Sequence, residues 1–214
     1  MAALVGGWDG KTELSSVKLL IFDDSKKGMR WQPLEDMPAP VVNPAVCADS
    51  SGSRLLVAGG RRGAEPLREV LAWNASSGWQ TIDPLRTPRD GGRAVRQQNG
   101  QVLVLGGSRG SSDLASAEFY DEDRRRWMGA PGMLTARRNF GAAAMPDGRI
   151  VVAGGFGGGG PVSAKASDMT PSPHGFASWL GAAVCDSGDP AAEVMVSRSS
   201  ASNQRRRLAS AEVL

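Results

Sequence analysis

The stretch Phe140-Gly141-Ala142-Ala143-Ala144-Met145-Pro146-Asp147-Gly148-Arg149-Ile150-Val151-Val152-Ala153-Gly154-Gly155 decides the fold. Its first six residues are small or apolar. Pro146-Asp147-Gly148 reads as a hairpin turn, because Asp-Gly tolerates the positive φ angles of a tight two-residue connection. Arg149 to Ala153 is an apolar run of the kind found in strands buried on both faces. Gly154-Gly155 then ends it. The stretch therefore predicts two antiparallel strands, here called A and B.

The same ending recurs along the chain, in Leu4-Val5-Gly6-Gly7, Leu55-Leu56-Val57-Ala58-Gly59-Gly60 and Val102-Leu103-Val104-Leu105-Gly106-Gly107. The first glycines of the four pairs lie 53, 47 and 48 residues apart. Tryptophan keeps the same time: Trp31, Trp79 and Trp127 are each 48 apart, and Trp179 follows 52 later. Asn99-Gly100 and Ser51-Gly52 supply the A–B turn in other periods. Ala117-Glu118-Phe119-Tyr120-Asp121 alternates and predicts strand C, and Arg126-Trp127-Met128 begins strand D. A lone four-stranded sheet has two apolar faces and covers neither, so copies must stack face to face around an axis. Strand A lies nearest that axis, where space tapers. Its residues are accordingly small, as in Ala45-Val46-Cys47, Gly91-Gly92-Arg93-Ala94-Val95, Gly141 to Ala144 and Gly181-Ala182-Ala183-Val184-Cys185.

These markers resemble kelch repeats, whose period is about 50 residues. The resemblance rests on a glycine pair after strand B, a Tyr in strand C and a Trp in strand D. Gly106-Gly107, Tyr120 and Trp127 match all three. The second period has Gly59-Gly60, Trp73 in place of the Tyr, and Trp79. The first has Gly6-Gly7, Phe22 and Trp31. Gly154-Gly155 opens a departure from the pattern, since Ser167 to His174 is polar and Pro-interrupted where strand C should fall. Ala192-Glu193-Val194-Met195-Val196 again reads as a strand B, and Leu208 to Leu214 resembles Leu114 to Tyr120. The resemblance implies an all-β, incomplete kelch-type β-propeller of about four and a half four-stranded blades. It divides into a partial blade 4–40, blades 41–90 and 91–138, a degenerate blade 139–180 and a partial blade 181–214. A WD40 array fits less well, having a shorter period and Gly-His and Trp-Asp pairs that are not in register here.

Composition sets outer limits. Of 214 residues, 28 are Gly and 13 Pro, and the aromatics are six Trp, five Phe and one Tyr. So much Gly argues against helix bundles, since each helix-interior Gly costs about 1 kcal/mol. No strict glycine triplet suggests collagen. The net charge of +3 is too small to predict nucleic-acid binding. No apolar run is long enough for a membrane span, and no signal peptide is visible at Met1 to Gly7. Two cysteines, Cys47 and Cys185, make no disulfide framework and read as small buried hydrophobes. With the single His174 they make no zinc or copper set, so no metal or cofactor is expected. These features predict a cytoplasmic or nuclear protein that is not an enzyme.

The basic residues suggest a surface. Strand polarity puts the B–C loops and the D–A connections on one face of the array. Arg61, Arg62 and Arg109 fall in B–C loops, and Arg86, Arg89, Arg137 and Arg138 in D–A connections. Arginine pairs bidentately with carboxylates and is favoured at binding hot spots. Phe156 could anchor an apolar contact beside them. The expected function is protein binding through this face, with an acidic segment as partner. Any one of these arginines could instead snorkel over the sheet edge or pair with Asp90 or Asp113. The kelch resemblance also implies a substrate-recognition role in an F-box-associated ubiquitin ligase adaptor. The alternative is a fragment of a galactose-oxidase-like enzyme or a carbohydrate-binding propeller, without its catalytic residues in this chain.

Overall fold

The computed structural model describes residues 2–23, 28–48, 53–145, 148–158, 160–161 and 192–195, all of them strand, turn or irregular chain. The first sheet holds β1 (Ala2–Val5), β2 (Val17–Asp23) and β3 (Gly28–Pro33) in that order. In the second, β4 (Ala45–Ala48) and β5 (Arg54–Ala58) form a hairpin. A two-stranded finger, β6 (Arg61–Arg62) and β7 (Glu65–Pro66), precedes β8 (Val70–Asn74) and β9 (Gly78–Ile82), giving the order β4-β5-β8-β9. The third sheet is β10 (Arg93–Arg96), β11 (Val102–Leu105), β12 (Ala117–Asp121) and β13 (Arg126–Ala130). The fourth opens with β14 (Gly141–Ala144) and β15 (Ile150–Ala153), followed by the finger of β16 (Phe156–Gly157) and β17 (Gly160–Pro161). Its third strand is β18 (Ala192–Met195), antiparallel to β15. All pairings are antiparallel, and the first three sheets are meanders of the expected strands.

Three apolar clusters lie between successive sheets. Val5, Val17, Val57 and Leu71 fill the first junction, Ala45, Leu56, Val104 and Trp127 the second, and Leu105, Phe119, Phe140 and Val152 the third. The innermost strands β4, β10 and β14 neighbour one another, as the taper of small residues requires. The sheets do not close into a ring among the described residues.

The glycine pairs have a structural cause. Gly106 (φ +61°) and Gly107 (φ +93°) both occupy the left-handed region. A Cβ on Gly106 would lie 2.5 Å from Phe140 Cε1 and 2.7 Å from the Arg137 carbonyl. Only Gly permits that turn and that approach. The turn lets Gly107 N donate to Arg137 O at 2.8 Å, as Gly60 N does to Arg89 O and Gly7 N to Val41 O. Val41, Arg89 and Arg137 are thus equivalent positions in successive D–A connections.

Tryptophan also recurs with a reason. Trp127 Nε1 donates to Asp83 O at 2.9 Å, and Trp79 Nε1 to Glu35 O at 3.0 Å. Each outer-strand indole therefore ties its sheet to the connection leaving the sheet before it.

Four readings need amendment. Phe22 does not hold the strand-C place of Tyr120, because Leu20 is the residue opposite Trp31, as Tyr120 is opposite Trp127 and Trp73 opposite Trp79. β15 is not buried on both faces, because Val151 and Ala153 face a side on which no described sheet packs. Strand C of the third period does not alternate, since Glu118 is buried beside Phe119. Ala192–Met195, expected as strand B of a separate partial blade, instead extends the fourth sheet, with Glu193 opposite Val152 as Glu118 is opposite Val104. A four-residue stretch with three apolar residues fits either strand, so sequence alone did not separate them. Pro146-Asp147, Ser51-Gly52, Trp179, His174, Cys185 and the Leu208–Leu214 match lie outside the described residues.

Candidate interaction face

The B–C loops and D–A connections meet on one face, joined by backbone bridges one residue beyond the last three glycine pairs. Val42 pairs with Arg61, Asp90 with Ser108 and Arg138 with Phe156. A polar cleft of about 640 Å³ opens there, lined by Asp90, Ser108, Ser112, Asp113, Arg138 and Gly158. Arg138 forms an ion pair with Asp113, whose second oxygen accepts the Gly158 N–H at 3.1 Å. Ser108 is buried, and its hydroxyl donates to the Gly110 carbonyl at 2.9 Å. Burial raises the Asp90 pKa above the ordinary carboxylate value, against a hydrogen bond from Asn43 and the nearby charges of Arg61 and Arg138.

The seven arginines divide sharply. Arg89 and Arg137 are completely buried, so neither can present its guanidinium to a partner, and both are removed from the binding set. Arg89 Nη2 donates to Glu118 Oε1 at 2.9 Å and to Ser116 Oγ at 3.0 Å, while Nη1 donates to Gly106 O and Ser116 O at 2.9 and 2.8 Å. Glu118 in turn accepts the backbone N–H groups of Arg86 and Thr87 at 2.7 and 3.1 Å. Burial pushes the Arg89 pKa down, and the Glu118 charge opposes that shift. Arg137 Nη1 donates to Gly154 O at 2.6 Å. These two side chains bind one sheet to the next.

The other five reach the surface. Arg61 lies 3.6 Å from Glu13 and 3.8 Å from Asp90, and Arg62 lies 3.1 Å from Glu69. Arg138 is held by Asp113, as the alternative reading anticipated for that acid. Arg86 and Arg109 are exposed, and Arg109 makes no ion pair among the described residues. Phe156 is exposed beside Arg138, and Trp8 and Leu134 also stand exposed, in a B–C loop and a D–A connection. Trp8 follows Gly6-Gly7 as Phe156 follows Gly154-Gly155, a parallel that the expected contact set did not include. Glu118 was missed because an acid in an alternating strand reads as solvated. Among the described residues no group of three or more His, Cys, Asp or Glu could hold a metal ion. No helix of the structure is long and apolar enough to cross a membrane.

Successive antiparallel sheets with small innermost strands, and loops gathered on one face, define a β-propeller array. No family model matches the chain. It is 31% identical over 147 residues to Kelch-like protein 33 of Homo sapiens, an alignment covering 67% of this chain and 27% of that protein. It is 25% identical over 175 residues to galactose oxidase of Gibberella zeae, covering 77% of this chain and 25% of the oxidase. A solved fungal alcohol oxidase of the AA5 family, in complex with copper, superposes with a TM-score of 0.54 at 15% identity, over 68% of this chain and 34% of its own. That last likeness is one of fold. The chain spans about a quarter of the length of the curated relatives it matches. It belongs to the kelch-repeat family.

Proposed function

We propose that this chain is a protein-binding module that engages its partner through the B–C and D–A loops. The observation that carries the reading is the exposure of Phe156 and Trp8 beside arginines on one loop-built face. Aromatic anchors with a polar, arginine-bearing rim are the anatomy of a binding patch. The partner segment is acidic and reaches Arg109 and Arg86, with Phe156 as its apolar contact. Arg61, Arg62 and Arg138 contribute less, because Glu69, Asp90 and Asp113 already offset their charge. In the ubiquitin-ligase form of this proposal, an F-box elsewhere in a longer polypeptide couples the captured substrate to the ligase.

The test is fluorescence anisotropy with acidic and basic peptides of equal length. Acidic peptides should bind, binding should weaken with salt, and Arg109→Glu with Phe156→Asp should reduce affinity at least tenfold without moving the melting temperature. Equal binding of basic peptides, or indifference to the double variant, would overturn the reading. The likeness to galactose oxidase favours a second reading, a segment of a propeller enzyme. Oxidation of galactose by a longer polypeptide containing this chain, with dioxygen reduced to hydrogen peroxide, would support it.

A further inference from the structure

The second and third sheets pack closely at Ala58, Val70 and Val104. Toward their A–B and C–D turns a cleft of about 270 Å³ opens between them. This is the end of the strands away from the B–C and D–A loops. Both sheets have all four strands described, so the walls of the cleft belong to complete blades.

Strand alternation decides which side chains face it. In the second sheet Leu56 pairs with Ala72, and Arg54 with Asn74 two residues nearer the turns. In the third, Arg96 pairs with Val102 and Tyr120 with Trp127. Leu56, Val102 and Trp127 belong to the cluster buried between the two sheets, with Ile82 and Tyr120 packed against it, so these pairs share the inward faces. The cleft thus has a floor of Leu56, Ala72, Ile82 and Val102, and a rim of Arg54, Asn74, Arg96 and Tyr120. Trp127 holds Tyr120 in place, with ring centroids 5.4 Å apart and planes inclined at 59°.

The rim is short of acceptors. Arg96 Nε is buried with no hydrogen-bond partner. Its Nη1 donates to the neutral Gly100 carbonyl at 2.7 Å, and Arg96 makes no ion pair among the described residues. A guanidinium has donors only, so what Nε lacks is an acceptor. Asn74 adds a further donor. Its Oδ1 already accepts the Ser76 N–H, the Ser76 hydroxyl and the Ser77 N–H at 3.0, 2.8 and 2.8 Å, which leaves its NH2 group to donate. Glu122 is the acid that lines the cleft, and it is exposed. An apolar floor with a few convergent polar groups is the build of a small-molecule site, and a buried polar atom without a partner calls for a specific explanation. A water meets Nε but offsets neither the Arg96 charge nor the open apolar floor.

We propose that this cleft binds a small organic carboxylate, with its carboxyl group on Arg96 Nε and its apolar body on Leu56, Ala72 and Val102. A carboxylate matches the guanidinium fork, and hydrogen bonds between ionised groups are the strong ones. The site is independent of the loop face, which lies at the other end of the strands.

Benzoate is the probe, with benzyl alcohol and inorganic phosphate for comparison, on the full chain. Isothermal titration calorimetry should give saturable benzoate binding in the millimolar range or tighter, and NMR should show the Arg96 Nε–H resonance shifting with it. Benzyl alcohol lacks the charge and phosphate lacks the apolar body, so each should bind at least tenfold more weakly. Arg96→Met keeps the stem and removes the donors, and should weaken benzoate at least tenfold with an unchanged circular dichroism spectrum. Ala72→Leu fills the floor and should do the same while Arg96 remains. Absence of saturation by benzoate would overturn the proposal, as would equal binding of phosphate or benzoate binding that survives either variant. Arg109→Glu with Phe156→Asp should leave benzoate binding unchanged. Its loss there would put the anion on the loop face and refute the site.

Discussion

Arg89 and Glu118 join the second sheet to the third, and the first junction shows how the same place is filled without charge. Val41 stands where Arg89 stands, Leu71 where Glu118 stands, and both belong to the apolar cluster of that junction. The third change is Pro38, which occupies the place of Arg86. Glu118 accepts the Arg86 N–H, and proline has no N–H to be left without an acceptor. Glu118→Leu alone should therefore be severe. It strands a guanidinium that is 0% exposed and removes the acceptor for two backbone N–H groups. Breaking a buried pair from one side costs about 3–5 kcal/mol. For a chain of this size that is roughly 6–20 °C in melting temperature. The triple variant Arg86→Pro, Arg89→Met, Glu118→Leu copies the apolar junction, with Met chosen to keep the length of the arginine stem. It should recover most of the loss, leaving about 1–3 kcal/mol for the Thr87 N–H deprived of its acceptor and for the Gly106 and Ser116 carbonyls that each lose a donor. Urea midpoints measure this without adding salt. A loss for Glu118→Leu below about 1 kcal/mol, the scale of an exposed pair, would refute the buried-pair reasoning. So would a triple variant no more stable than the single one.

Other outcomes are expected together. Gly106→Val should destabilise by about 1–3 kcal/mol, through its positive φ and its contact with Phe140, whereas Gly110→Ala, with open space around it, should cost less; urea titration compares the two. Trp127→Phe should lose about 1 kcal/mol or more with the indole bond to Asp83 O, while Trp31→Phe should leave the unfolding midpoint unchanged. Burial raises the Asp90 pKa, so its contribution is favourable when protonated and is lost as pH rises through the raised value. Asp90→Asn should accordingly stabilise at neutral pH, with the difference closing on acidification through the carboxylate range. Urea midpoints at several pH values read that crossover directly.

The repeat was legible because its markers are obligatory. Gly59, Gly106 and Gly154 sit at a turn that other residues cannot make cheaply, and Trp79 and Trp127 fill a gap that recurs with each sheet. Periodicity therefore gave the sheets, their order and the face on which the loops gather. The charged residues were less legible for a physical reason. Arg89 lies in a connection and Glu118 in a strand 29 residues later, and each looks solvated within its own segment. The neighbouring sheet buries them, and a window along one segment contains no term for a neighbour. Arg138 and Asp113 escaped only partly, because their pairing was one of two readings open for exposed charges.

The two kinds of junction respond differently to heat. A row of sheets that touch mainly their neighbours behaves as a one-dimensional set of coupled units, whose weakest link can open before the rest. The desolvation penalty of an ion pair falls as temperature rises, while apolar burial per unit area levels off. Warming therefore strengthens the Arg89–Glu118 seam relative to the Val41–Leu71 seam. The balance between the two seams tilts toward the charged one, which makes the first sheet the one favoured to part from the second.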